Sequence, residues 1–471
     1  MKDNSYNAVM SRKNDIMKAA LGIDYSIYES GSIAFDYERM MKETAYSLDE
    51  MKTIQAATHV GNTPLIEAHN LTALARKCAE KNGQKGMGAR IFIKDEACNP
   101  AGSFKARRAA IACYQAKKMG YKGVIAATSG NYGAAVASQA AMLGLQCIIL
   151  QECYDSRGVG QPEIIEKARK CEAFGAEVVQ MTVGPELFYK HLLLLEETGF
   201  FNCSLYTPFG IAGIETLGAE IHEQFMQSEG RDPDVVICTE AGGGNLTGTA
   251  RGLRVAGAKS HVYGASVNLS GLSMASDVQF NKKSFTTGHT GFGVPYATNP
   301  DHSDVPRSGA RPLRYMERYL IVAQGSVFYI TEALSTLEGI ERGPAGNTSL
   351  TAAFAFAQTL PQDAIIVSQE TEYTGAGKHH QPQISFAREN GIDVHFGNPA
   401  DEVPGTNMVL PAAPELIKAT DMDMERLHTS LIKHTLKSHP GVKPTEEDIA
   451  FLAEETMSDK DFVRKVISQT T

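Results

Sequence analysis

The sequence predicts an α/β fold with open, mostly parallel sheets, and three observations carry the prediction. Between about residues 112 and 209, apolar runs at 124–127, 146–150 and 177–181 alternate with helical patterns at 134–142, 163–174 and 185–198. Such alternation argues parallel strands joined by crossover helices. Three times, moreover, a strand runs into a loop of small residues that opens a helix: at 99–108, at 128–133 and at 241–249. Loops of this kind converge at the carboxyl ends of parallel strands, where such folds place their ligands. With 471 residues, 43% of them hydrophobic, the chain is also long enough to bury a large core across two or three domains.

Composition narrows the class further. Charged residues make up 21% of the chain, as in a globular protein rather than a disordered one. The 45 Lys and Arg against 54 Asp and Glu leave a formal charge of −9, which argues against non-specific nucleic-acid binding. Met1-Lys2-Asp3-Asn4 opens no apolar signal segment, and no stretch of membrane-spanning length is free of charge. The expectation is a cytoplasmic protein with no membrane partner. The eight cysteines are dispersed and form no C-x-x-C pair, so neither a zinc site nor a disulfide framework is indicated.

Residues 1–57 read as a packing extension, irregular and tyrosine-bearing up to a helix at 48–55. Val60-Gly61-Asn62-Thr63-Pro64-Leu65-Ile66 is a turn leading into a short strand. A helix at 71–81, a turn-rich passage at 82–88 and a strand at 90–94 follow it. Beyond the alternating stretch, strands are expected at 234–238, 261–265 and 364–367. Between 266 and 322 the pattern loosens into Gly, Ser, Pro and Asn, including Thr287-Gly288-His289-Thr290-Gly291-Phe292-Gly293. A loop this long usually serves function, here substrate access or a partner surface. Residues 412–471 are charged and helical in pattern, with Pro444-Thr445-Glu446-Glu447-Asp448 marking a helix start, and read as a cap or oligomer contact.

The small-residue loops carry the chemistry. In Gly102-Ser103-Phe104-Lys105 the lysine stands at a strand-to-helix turn, where unpaired N–H groups and the positive helix end favour loss of its proton. A neutral amine there is a nucleophile for a carbonyl. Gly242-Gly243-Gly244-Asn245-Leu246 allows a phosphate to approach backbone N–H groups at a helix start, although a tight turn alone also needs such glycines. It is not the dinucleotide fingerprint, because Thr247 stands where the third glycine belongs. Thr374-Gly375-Ala376-Gly377-Lys378-His379-His380 likewise fails as a phosphate loop, with Glu372 and His379 at required positions. Lys378, His379 and His380 form either a positive patch for an anionic substrate or a solvated loop.

In that order and at that spacing, Gly102-Ser103-Phe104-Lys105, Ser129-Gly130-Asn131-Tyr132-Gly133 and Gly242-Gly243-Gly244-Asn245 resemble the pyridoxal-phosphate enzymes of fold type II. Threonine synthase, threonine dehydratase, cysteine synthase and diaminopropionate ammonia-lyase share that plan. The resemblance spans about residues 58–400 and implies two open α/β domains with pyridoxal 5'-phosphate in the cleft between them. The larger is discontinuous, from 58–111 and 210–411; the smaller is 112–209; an extension (1–57) and a helical cap (412–471) flank them. Lys105 is thereby implied to bond covalently to the cofactor's aldehyde and, once displaced by substrate, to move the α-proton. Gly242, Gly243, Gly244, Asn245 and Leu246 are implied to hold the phosphate, and Asn131 the ring hydroxyl. Thr128, Ser129 and Gly130 are implied to receive the amino-acid substrate's carboxylate. The ring nitrogen needs a partner from the last core strand; we assign Ser368, with Glu370 as the alternative. A hydroxyl leaves that nitrogen unprotonated, whereas a carboxylic acid protonates it.

The combination of 99–108 with 370–380, on a chain of this length, is similar to one subfamily, the β subunits of 2-amino-4-ketopentanoate thiolase. That resemblance implies an acyltransferase of ornithine degradation, working with a small α subunit in a homo- or hetero-oligomer. Its coenzyme A would cleave 2-amino-4-oxopentanoate to acetyl-CoA and alanine. Cys153 is the cysteine candidate for carrying the acyl group, and no coenzyme A motif is recognisable. Two other readings stay open: an α,β-eliminating ammonia-lyase acting on threonine, serine or diaminopropionate, and a non-catalytic amino-acid-binding relative.

Overall fold

Apolar runs bounded by glycine or polar residues form the strands, and their order along the chain builds two main sheets. The computed structural model describes residues 2–470 apart from Ser129, Ser156, Gln161, Pro185, 271–283, 287–303 and 374–380. The readings made for Ser129, for Thr287 to Gly293 and for Lys378, His379 and His380 therefore lie outside the described residues. In chain order the strands are β1 (Leu65–Glu67), β2 (Arg90–Asp95), β3 (Gly123–Thr128), β4 (Gln146–Tyr154), β5 (Glu177–Thr182), β6 (Phe201–Asn202) and β7 (Val235–Thr239). They continue with β8 (His261–Val267), β9 (Arg318–Val322), β10 (Ile365–Glu370), β11 (Asp393–Gly397), β12 (Asn407–Pro411) and β13 (Thr420–Asp421).

The larger sheet runs β1-β2-β10-β7-β8-β9-β13, with five parallel central strands and antiparallel edges at β1 and β13. The smaller sheet, β5-β4-β3-β6, is parallel throughout. This is the predicted α/β architecture with mostly parallel sheets. Parallel strands are covered on both faces, which is why β3 and β10 are buried at every position, β10 including the polar Ser368, Gln369 and Glu370 at its carboxyl end. Because β10 sits between β2 and β7, the carboxyl ends of these three strands lie side by side.

Three helices hold the loops that follow these strands. Pro208–Ser228, capped by the Thr207 hydroxyl with proline at its first position, packs against both Lys105–Lys118 and Gly244–Ala256. Only glycine permits the approach: a Cβ on Gly218 would lie 2.1 Å from the Thr249 carbonyl oxygen, and one on Gly252 would lie 1.9 Å from that of Glu215. Beneath the Lys105 turn, Arg107 is fully buried and donates to Glu96 at 2.7 and 2.8 Å and to Glu220 at 3.0 Å. Glu220 also accepts from the buried Lys94 at 2.6 Å. Two cations and two carboxylates thus satisfy one another in the interior.

The N-terminal stretch before residue 48 differs from expectation. It contains the helices Tyr6–Ser11, Lys13–Leu21 and Tyr37–Thr44 rather than irregular chain. Val9, Ile16 and Met17 pack on Ile125 and Leu150 of the smaller sheet, so tertiary burial stabilises helices too short to persist alone. At the two ends of the stretch from 266 to 322, strand replaces the expected loop: β8 reaches Val267 and β9 occupies Arg318–Val322. At the C-terminal end, Thr445 and Asp448 cap each other at the predicted helix start. Asp448 also accepts the Ile33 and Ala34 N–H groups at 2.7 and 2.8 Å, tying this end of the chain to the N-terminal stretch. Among the described residues, no helix is long and apolar enough to cross a membrane.

Candidate active site

The turn that presents Lys105 is clamped by the residues after β10. Phe104 N–H donates to the Thr371 carbonyl at 3.1 Å, and Tyr373 N–H donates to that of Gly102 at 2.7 Å. Gly102 has φ of 73°, and a Cβ on it would fall 2.3 Å from the Tyr373 carbonyl oxygen, so the clamp requires glycine. Lys105 is then the first residue of its helix, with access to a cavity between the two sheets. Burial pushes its amine down to about 7; Lys167 and Arg108 add to the effect, and Glu372 and Glu163 oppose it.

The loop after β3 forms one wall. The Thr128 hydroxyl accepts the N–H groups of Gly130 at 2.9 Å and Gly133 at 3.3 Å, drawing the loop onto the start of the helix Asn131–Leu143. Gly130 has φ of 151°, and a Cβ there would lie 2.4 Å from Lys167 Cδ, so Lys167 lies against this loop. The Lys167 ammonium is itself held by Glu163 at 2.5 Å. Asn131 lines the cavity, and its buried Oδ1 has no hydrogen-bond partner.

The glycine loop after β7 forms the opposite wall. Gly243 adopts φ of 76°, and Gly244 opens the helix Gly244–Ala256, which begins inside the loop rather than at residue 250 as the sequence suggested. Gly242, Gly243, Gly244 and Asn245 line the cavity, and both side-chain amide atoms of Asn245 are buried without partners. Leu246 is fully buried behind them. Arg108 reaches the same wall from the Lys105 helix, and burial pushes its guanidinium down to about 10.

These features fit pyridoxal phosphate. A neutral amine can meet its aldehyde, a helix start with open N–H groups and an arginine can meet its phosphate, and the orphaned Asn131 oxygen can meet its ring hydroxyl. The model of a family described as pyridoxal-phosphate dependent enzyme matches residues 56–371, well over half of the chain. The chain belongs to the pyridoxal-phosphate dependent enzyme family. As a member it uses pyridoxal 5'-phosphate.

Within this family the chain is 69% identical to a 2-amino-4-ketopentanoate thiolase beta subunit of Acetoanaerobium sticklandii, over 99% of both chains. It is 62% identical to a second beta subunit of that name, from an unknown prokaryotic organism, over 99% of this chain and 98% of the relative. Threonine synthase of Bacillus sp. (strain ULM1) is 29% identical over 46% of this chain and 55% of its own. Among solved structures, a threonine deaminase superposes with a TM-score of 0.52 at 26% identity, covering 69% of this chain and 98% of its own.

Three residues singled out from sequence lie outside the cavity lining. Ser368 is fully buried and does not line the cavity; its hydroxyl lies 3.0 Å from that of Ser349. Glu370 is buried outside the cavity lining too, and burial followed by Glu372 pushes its carboxyl well above the usual range. Thr371 and Glu372, just beyond β10, are the lining residues there. Cys153 belongs to β4, packs with Ile164 and Ala168, and is pushed up to about 11 by burial. A thiol so raised is protonated at neutral pH, and Cys153 does not line the cavity. Sequence reasoning missed Arg108, Lys167 and Glu372. Arg108 stood inside the quoted motif, but only the fold shows which of two adjacent arginines faces the cavity.

Proposed function

We propose that the chain is the pyridoxal-phosphate-bearing subunit of a thiolase that cleaves 2-amino-4-oxopentanoate with coenzyme A to acetyl-CoA and alanine, alongside a small α subunit. The observation that carries this reading is end-to-end similarity, over 99% of both chains, to a subunit of that name. Threonine synthase, by contrast, aligns with less than half of the chain.

Bound pyridoxal phosphate supplies an aldehyde for the substrate amine and a ring that withdraws electrons from the neighbouring carbons. The neutral Lys105 amine takes the α-proton and returns a proton to product, a task suited to an amine held near 7. Thr128, Ser129 and Gly130 receive the substrate carboxylate; Gly130 directly precedes the helix Asn131–Leu143, and the Lys167 side chain lies against it. Gly242 to Leu246 hold the phosphate, and Asn131 holds the ring hydroxyl. For the ring nitrogen we propose the β10 end, with Ser368 as its partner and Glu370 as the alternative, just before Thr371 and Glu372, which line the cavity.

The coenzyme A thiol adds to the C4 carbonyl, the C3–C4 bond breaks, C3 takes up a proton, and the two-carbon acyl group leaves as the thioester. Atoms balance without an oxidant or a second co-substrate. Since burial protonates Cys153, the thiol of coenzyme A itself is the nucleophile in this reading. Consumption of 2-amino-4-oxopentanoate that depends on coenzyme A supports the proposal. Ammonia released from serine, threonine or diaminopropionate without coenzyme A would select the lyase reading instead.

A further inference from the structure

We propose that Arg108 is the counter-charge of the cofactor's phosphate, completing an anion site that the glycine loop begins. This rests on the cofactor placement above and adds to it a side-chain cation. Arg107 and Arg108 are adjacent, and both are buried, at 0% and 2% exposure. Their surroundings are opposite. Arg107 is saturated by Glu96 and Glu220. For Arg108, among the described residues, no carboxylate lies within ion-pair distance, and its Nε has no hydrogen-bond partner. The groups around it are the Phe104 ring, 5.8 Å from Cζ, and the phenols of Tyr132 and Tyr206. None of these neutralises a guanidinium, and a buried charge is retained only where something pairs with it.

Position identifies the missing anion. Arg108 lies one helical turn beyond Lys105 and lines the same cavity. Its Nη2 sits where a side chain on Gly244 would start, 1.6 Å from a Cβ built there, at the first residue of a 13-residue helix. Asn245, next in that helix, is 7% exposed with both amide atoms unpartnered. The Tyr206 hydroxyl flanks the loop, 2.8 Å from a Cβ built on Gly242. A guanidinium, open backbone N–H groups and an amide around one point suit a phosphate monoester dianion, to which arginine can donate twice. The proposed place of the substrate carboxylate is elsewhere, on the wall that Thr128 lines. The same contact accounts for Gly244, because any side chain there would displace the arginine.

The test uses purified apoprotein titrated with pyridoxal phosphate and, separately, with pyridoxal, which lacks the phosphate. Arg108→Met is expected to weaken pyridoxal phosphate binding by about ten- to a hundredfold and to leave pyridoxal binding unchanged. Arg108→Lys, which keeps the charge on a shorter reach, should fall between the wild type and Arg108→Met. Apo Arg108→Met should melt no lower than the wild-type apoprotein, because it loses an unpaired buried charge. Equal losses for both ligands, or no loss for either, would overturn the proposal. Borohydride trapping in the same variants separates the two levels: an adduct on Lys105 leaves the cofactor placement standing whatever becomes of Arg108, and an adduct on another lysine removes it.

Discussion

Lys167 holds down the proton affinity of Lys105: its ammonium, anchored by Glu163, is the largest electrostatic contribution after burial itself to an amine pushed down to about 7. The neutral amine is the form that attacks an aldehyde, so the rate of cofactor incorporation into apoprotein should rise through neutral pH and then level off. Lys167→Met removes the repelling charge and leaves Glu163 to favour the ammonium. The midpoint of the pH profile should move upward, slowing incorporation at neutral pH by about tenfold for every pH unit it moves. An unchanged midpoint would show that Lys167 does not act on Lys105. Stability carries the same sign: between about 7 and the ordinary lysine value of 10.5 the folded apoprotein binds fewer protons than the unfolded chain. This lysine should therefore make the apoprotein more stable as pH rises through that window.

Covalent attachment is tested by mapping. Borohydride reduction of the cofactor-loaded chain followed by peptide sequencing should label Lys105, and Lys105→Ala should lose both the label and the visible absorption of the bound cofactor. A label on any other lysine would move the site.

The glycine loop is tested by bulk. Gly243 has φ of 76°, and a Cβ there would lie 2.5 Å from Pro312 Cγ, so Gly243→Val strains the backbone and displaces the N–H groups proposed to hold the phosphate. Retention of pyridoxal phosphate on gel filtration should fall in this variant. Full retention would place the phosphate elsewhere.

The charge cluster behind the Lys105 turn predicts a stability effect. Glu96→Ala leaves Arg107 with a buried, half-paired charge and should cost about 3–5 kcal/mol in chemical denaturation. Burial would raise the Glu220 carboxyl, but Arg107 and Lys94 outweigh it and hold the group well below the ordinary glutamate value of 4.5. The stability from Glu220 is thus present above that value and is lost as pH falls below it. A Glu96→Ala protein as stable as the wild type would show that the cluster contributes nothing.

What the sequence revealed and what it hid follow from the range of the interactions. That Lys105, Asn131 and Gly242 to Gly244 come to one cavity was legible because local backbone demands, a turn, a helix start and a close approach, act within a few residues and leave small-residue signatures. The strands β3, β4 and β7 were legible for the same reason, as apolar runs between turn residues. Arg108 and Lys167 were not: each is an ordinary helix residue until the other wall of the cavity is brought against it. The short N-terminal helices were hidden because burial on the smaller sheet, not intrinsic propensity, stabilises them. What stands around Ser368 was not legible either: β10 is buried at every position, and only the neighbouring helix shows that the Ser368 hydroxyl lies 3.0 Å from that of Ser349.

The thiolase reaction itself is tested by the identity and ratio of products when the chain, loaded with pyridoxal phosphate and mixed with the small α subunit proposed as its partner, meets 2-amino-4-oxopentanoate and coenzyme A. Acetyl-CoA and alanine are expected in equal amounts, with neither formed by Lys105→Ala. Ammonia and a 2-oxo acid in their place, with coenzyme A left unconsumed, would contradict the thiolase reading.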